Sequence, residues 1–313
     1  MRFVGVASGI ELFAPSDSYF SYFNSPYIGH RRSSSVDIYP SHSEWGGPAF
    51  SPIDGKIVRL KEISMGDRKV FPSEDRDYAI AMKPEEESSY IVRILHCRPS
   101  VSVGQSVTKG DEIGGVLRSR FFCFWTGPHY HVEVMPEAGF HRSSKSSTIA
   151  VDFPKVTTID RGNPEELECR VIESSRDILI GISKGASYVK LGDLQGHMAR
   201  IGDGSDVGLL DAGIPHYENG GVVAGYSARE GSKVVAWSRN IGDVTSSGGK
   251  LVQFKVSERF QPKVDGEPVR GISNHLYSDA QTVRGLTPVY LIPKKIGQFE
   301  GRYDEGDAFA LSL

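Results

Sequence analysis

Hydrophobic positions along this chain recur with a period of two rather than 3.6, which predicts strands. Tyr90-Ile91-Val92-Arg93-Ile94-Leu95-His96 is a clear case, with Tyr90, Val92, Ile94 and His96 on one face. Lys250-Leu251-Val252-Gln253-Phe254-Lys255-Val256 alternates in the same way. Between Ala49-Phe50 and Ile57-Val58, the pair Asp54-Gly55 reads as a hairpin turn. From Val101 to Gly114 valines are separated by glycine turns, and His129 to Val134 follows a Gly-Pro turn as a further strand. In the second half, 222–227 and 233–238 read as two strands paired across a charged turn. Long Ala/Leu/Glu/Lys-rich windows are missing, and 35 glycines with 17 prolines fit short strands joined by many turns. The expectation is a mainly β protein with antiparallel sheets.

A chain of 313 residues is long enough for two domains, each with its own core. Composition turns towards Ser, Lys, Thr and Pro between 141 and 166, which places a first domain at 1–145, a Ser/Pro-rich linker at 146–166 and a second β-rich domain at 167–313. A net charge of −3 with scattered basic residues gives no electrostatic reason to expect nucleic acid. Cys97, Cys123 and Cys169 are odd in number and lack a CxxC spacing, so they read as buried or half-buried thiols. Glu11 interrupts the apolar N-terminal run too early for a signal-peptide core, and no window reaches the ~20 apolar residues of a membrane span. The default location is therefore cytoplasmic.

Candidate chemistry begins at His129-Tyr130-His131. Residues i and i+2 of a strand project to one face roughly 6–7 Å apart, so one imidazole can ligate a metal while the other stands beside a bound water. Glu133 shares that face and can orient a ring through its second nitrogen. His30 and Asp37 are separated by Arg31-Arg32-Ser33-Ser34-Ser35-Val36, a loop-like stretch able to bring both to one centre. His96 ends an apolar strand face. His197, His216 and His275 have no spacing partner and read as structural.

In this order the elements resemble the lysostaphin-like (LytM-type) zinc metallopeptidases, which cut peptide bonds in bacterial cell-wall cross-links. Asp37-Ile38 is followed by Ile53-Asp54-Gly55-Lys56-Ile57-Val58, matching the strand that carries the family's "dGkV". Val101 to Gly114 reproduces "V-x-x-G-Q-x-V-x-x-G-D-x-I-G", with His96 just ahead of it. Thr126-Gly127-Pro128-His129-Tyr130-His131-Val132-Glu133-Val134 fits "T-G-x-H-x-H-x-E-V". The resemblance covers about residues 28–135 and implies a duplicated-hybrid-motif fold. It implies that His30, Asp37 and His131 hold zinc while His96 and His129 handle protons. Two imidazoles and one carboxylate would leave the fourth tetrahedral position for water. The implied substrate is a peptide or peptidoglycan-like chain, cleaved at an amide.

Six residues lie between His30 and Asp37 where the family usually has three, so His42 is an alternative ligand. A second reading is a catalytically inactive module of the same fold that acts by contact alone. A third is a biotinyl- or lipoyl-type carrier; it would need a hairpin-tip lysine, and Lys83 lies outside the matched run.

Overall fold

A computed structural model of the chain describes residues 1–41, 44–84, 88–153, 156–162, 166–204 and 206–313. Two compact units are present, one formed by Met1–Phe20 with Tyr27–Val151, the other by Ser21–Pro26 with Asp152–Leu313. Both are built from antiparallel strands, and no α-helix occurs among the described residues. Among the described residues no helix is long and apolar enough to cross a membrane. None of the three cysteines forms a disulfide, and Cys97 and Cys169 are buried.

The first unit contains β1 (Arg2–Ala7), β2 (Ile10–Ala14), β3 (Tyr19–Ser21), β4 (Ser35–Tyr39), β5 (Pro48–Phe50), β6 (Gly55–Ser64), β7 (Arg76–Pro84), β8 (Tyr90–Leu95), β9 (Cys97–Pro99), β10 (Ser106–Val107), β11 (Glu112–Val116) and β12 (Tyr130–Pro136). β1 and β2 form a separate hairpin. Seven strands make one sheet in the order β10-β6-β7-β8-β12-β4-β3, and β5-β11-β9 make a smaller one. Asp54-Gly55 is not a hairpin turn. The strands that flank it enter different sheets, β5 pairing with β11 and β6 with β7 and β10. Gly55 is required for another reason: a Cβ there would meet the Lys83 carbonyl at 2.4 Å.

β12 is the strand that positions the site. Six of its seven residues are buried, because both faces are covered. Tyr130, Val132 and Val134 alternate into the apolar interior, fully buried like Ile38 and Ile94 on the neighbouring strands. His131 and Glu133 therefore project to the opposite face. There His131 lies between Asp37 on β4 and Leu95 on β8, and Glu133 between Ser35 and Arg93. Further along this sheet Met135 and Ile91 join Ala79, Ala81 and Phe140 in a small apolar cluster.

In the second unit six strands close on themselves: Leu194–Ile201, Lys233–Ala236, Arg239–Gly248, Leu251–Val256, Asn219–Ala224 and Asp206–Ile214, which pairs back to the first. Closure leaves no free edge on this ring and encloses Ala199, Leu210, Val222, Val234, Val252 and Phe254. The strands at 219–224 and 233–236 are not each other's partners, contrary to the expectation of one hairpin. The strand at 219–224 pairs with 206–214 and 251–256, and that at 233–236 with 194–201 and 239–248, so long-range ladders separate two strands that lie close in sequence. Ser21–Pro26 belongs to this unit. The fully buried Asp211 carboxylate accepts hydrogen bonds from Ser21 Oγ, from Tyr22 N at 2.6 Å and from Phe23 N at 3.3 Å.

Candidate metal centre

Cross-strand pairing places Asp37 directly opposite His131, because β4 and β12 are antiparallel neighbours in that register. His131 Nδ1 lies 2.7 Å from Asp37 Oδ1. His30 arrives from a 3-10 turn, His30–Arg32, that ends at Ser33 in the left-handed region (φ 51°) just before β4 begins. This turn takes up the long interval between His30 and Asp37. His30 Nε2 sits 3.2 Å from Asp37 Oδ2 and 3.2 Å from His131 Nδ1.

These three residues are the one group among those described that could hold a metal ion, their donor atoms all within 4.8 Å of one another. Zinc–ligand bonds of 2.0–2.1 Å at tetrahedral angles set ligands about 3.3 Å apart, close to the 3.2 Å spacings here. Chemistry of the donors agrees. Glu133 Oε1 lies 3.1 Å from His131 Nε2, an ion-pair contact that favours a proton on that nitrogen and leaves Nδ1 as the atom facing His30 and Asp37. Glu133 is itself gripped by Arg93, whose Nε donates at 3.0 Å and whose Nη1 donates to the Phe140 carbonyl at 2.6 Å. Gly29 makes room for this carboxylate, since a Cβ there would meet Glu133 Oε1 at 2.7 Å and Ser35 Oγ at 2.8 Å. The residues present fit a zinc ion.

His129 and His96 flank the trio. The His129 Nδ1–H donates to the Gly127 carbonyl at 2.9 Å, turning Nε2 towards Asp37 Oδ2 at 3.6 Å. His96 does not continue the Tyr90/Val92/Ile94 face as alternation predicts. Its backbone is left-handed (φ 65°), which swings the ring to the site side, 5.8 Å from His129 and 6.0 Å from His131. Asp77 fixes it there: its carboxylate accepts from His96 Nδ1 at 2.6 Å, His96 N at 3.0 Å and Ser119 Oγ at 2.8 Å. His42 lies outside the described residues.

Burial sets the electrostatics. Burial opposes charge on His131, but hydrogen bonds to Asp37 and Glu133 outweigh it and push this imidazole up to about 9. Burial drives His129 the other way, to about 4. It would likewise raise Asp37 and Glu133, yet neighbouring imidazoles hold Asp37 well below the carboxylate range, and His131 with Arg93 hold Glu133 at about 2.

Asp77 and Arg93 were not singled out from the sequence. The available signal was a lone charge within an apolar run, Asp77 ahead of Tyr78-Ala79-Ile80 and Arg93 inside Ile91-Val92-Arg93-Ile94. Such a charge is costly to bury unless paired.

All five candidate residues are at most 5% exposed. Aromatic rings roof them. Phe122 lies 4.6 Å from His96 and 5.0 Å from His129, and Tyr39 lies 4.7 Å from His129. Phe121 packs 5.1 Å from His96 and is held by Tyr27, through a ring contact at 4.3 Å and a hydrogen bond from Tyr27 OH to the Phe121 carbonyl at 2.9 Å.

Residues 11–151 match the family described as the N-terminal domain of a domain of unknown function, DUF8155, over less than half of the chain. No curated protein matches the chain. Among solved structures it is similar to the NMR solution structure of lysostaphin, at 15% identity and TM-score 0.29, over 77% of this chain and 95% of that one.

Proposed function

We propose that the first unit is a zinc-dependent hydrolase of the lysostaphin-like kind, cleaving an amide bond in a peptide or peptidoglycan-like chain. The observation that carries this reading is the convergence of His30 Nε2, Asp37 and His131 Nδ1, from a turn and two strands, on one point beside two further imidazoles. Zinc, when bound, supplies Lewis acidity and lowers the pKa of a coordinated water to about 7.

The chain's own residues would do the rest. His129, kept neutral by burial, presents an Nε2 lone pair able to accept a proton and return it to a leaving amine. His96, its Nδ1 proton held by Asp77, turns Nε2 to the same space, where with a second proton on Nε2 it would donate a hydrogen bond to negative charge developing on the substrate. Glu133 and Arg93 orient His131 rather than touching substrate.

A second reading is a catalytically inactive module of the same fold that acts by contact alone, and the aromatic roof favours it, because Phe121 and Phe122 pack against His96 and Phe122 against His129, both histidines being at most 4% exposed. One experiment separates the two. Zinc content of the purified full chain is measured by elemental mass spectrometry for the wild type, Asp37→Ala, His131→Ala and His129→Ala, together with release of amine from peptide substrates. The hydrolase reading expects about one zinc per chain, lost in Asp37→Ala and His131→Ala. His129→Ala should retain the zinc and lose hydrolysis. Zinc bound without any amide cleavage assigns the module. No zinc in the wild type, even when supplied, overturns the hydrolase reading and favours the contact module.

A further inference from the structure

The second unit carries a cavity of about 740 Å³ that the metal centre does not explain. Its floor is apolar, built from Leu167, Ile182 and Leu286. Around it stand four cations, Arg161, Arg170, Lys184 and Arg284, against two carboxylates, Glu166 and Glu168. In a chain of net charge −3 this is a local reversal of sign.

The cations fall into two kinds. Arg161 and Arg170 are anchored, Arg161 donating to the Lys184 carbonyl and lying over the Tyr188 ring, Arg170 donating to the Gly306 carbonyl at 3.1 Å. Lys184 and Arg284 are exposed, and neither side chain takes a partner among the described residues. Arg284 is further marked by its backbone. It sits at φ 53° beside Gly285 at φ 73°, in a two-residue turn closed by reciprocal 3.0 Å hydrogen bonds between Val283 and Leu286. That turn type calls for Asn, Asp or Gly at its first position. An arginine there carries backbone strain, and its guanidinium bonds to no described residue.

We propose that this cavity binds a small anionic ligand bearing two acidic groups, phosphate or carboxylate, on an apolar body. Arg284 and Lys184 meet the acids, the anchored Arg161 and Arg170 frame them, and the floor takes the apolar part. Guanidinium geometry suits either oxyanion through paired N–H donors. The volume is that of an ordinary small-ligand site.

The test uses the full chain and two probes that carry two acids on an apolar body, hexane-1,6-diyl bisphosphate and octanedioate, in calorimetric titrations at low and moderate salt. Saturable binding of one molecule per chain is expected, weakening with salt. It should fall at least tenfold in Lys184→Gln/Arg284→Asn and stay unchanged in Lys263→Gln, which removes an exposed cation elsewhere in the same unit. The probe that binds identifies the acid. Arg284→Asn alone should also raise the thermal midpoint, because asparagine accepts the left-handed turn. Failure of both probes to bind at low salt overturns the proposal. So does binding that survives the double variant, or that falls equally in Lys263→Gln. Metal loading plays no part in the readout, so the outcome is independent of the hydrolase reading.

Discussion

Each unit buries histidines and aspartates away from water, and the two give their aspartates different partners. In the first, Asp37 faces imidazoles, and His131 is pushed up to about 9. In the second, Asp211 faces a hydroxyl and two backbone amides, while burial holds His197 down to about 4 and His216 to about 3. His197 spends Nε2 on the Pro288 carbonyl, 3.1 Å away, and His275 bonds Asn24 and Tyr277. Burial is alike throughout, so it is the partner that differs. A carboxylate beside an imidazole makes a polar cluster with donor atoms held ready for an ion. Amides, hydroxyls and carbonyls make a cross-brace that ties segments of the chain together.

The largest expected effect tests the brace. Asp211→Ala leaves the Ser21, Tyr22 and Phe23 donors unsatisfied in a dry interior and should cost about 3 kcal/mol. Calorimetry should record this as a fall of roughly 6–12 °C in the melting of the second unit. A fall of a degree or less would mean that Asp211 is not what holds Ser21–Pro26.

Acid tests the same contrast. A histidine whose folded pKa is depressed is protonated more readily in the unfolded chain, so stability is full above about 6.5 and declines as pH falls towards the folded value. For His197 the window runs from about 6.5 to about 4 and is worth about 3 kcal/mol. His197→Gln keeps a hydrogen-bond donor and should flatten that part of the midpoint-against-pH curve; an unchanged slope would assign the acid sensitivity elsewhere.

In the first unit, Glu133→Gln keeps the shape of the residue and removes the charge that orients His131. Zinc affinity should drop about 10–100-fold in a competition titration, with the fold unchanged by circular dichroism. Equal affinity would show that Asp37 and His30 suffice. The smallest effect concerns the roof. Tyr27→Ala removes a ring contact and a hydrogen bond together worth about 1.4 kcal/mol, so a chelator should take zinc roughly tenfold faster. An unaltered capture rate would mean that Tyr27 does not gate the site.

Much of the first unit's site was legible in the sequence, for a physical reason. His131 and Glu133 lie two apart on one strand, and the period of a strand fixes their shared face without any help from the rest of the chain. Asp37 opening an apolar strand, and His30 just before it, were legible as candidates. That they meet depends on β4 pairing with β12 in a register where Asp37 opposes His131. His96 was identified as a candidate, yet its face was misread, because nothing local announces a left-handed residue at the end of a regular strand.

The sequence by itself determined the β class, the absence of long helices and the histidine and acid positions from which a metal centre can be built. These follow from local periodicity and from side-chain chemistry. Tertiary structure alone decided the rest. It chose the Asp77 and Arg93 partners, closed the aromatic roof and the ring of six strands, docked Ser21–Pro26 on Asp211 and gathered four cations around an apolar floor. Each depends on residues far apart in the chain meeting through strand pairing, and the energy of such a contact belongs to the pair, not to either stretch of sequence that contributes to it.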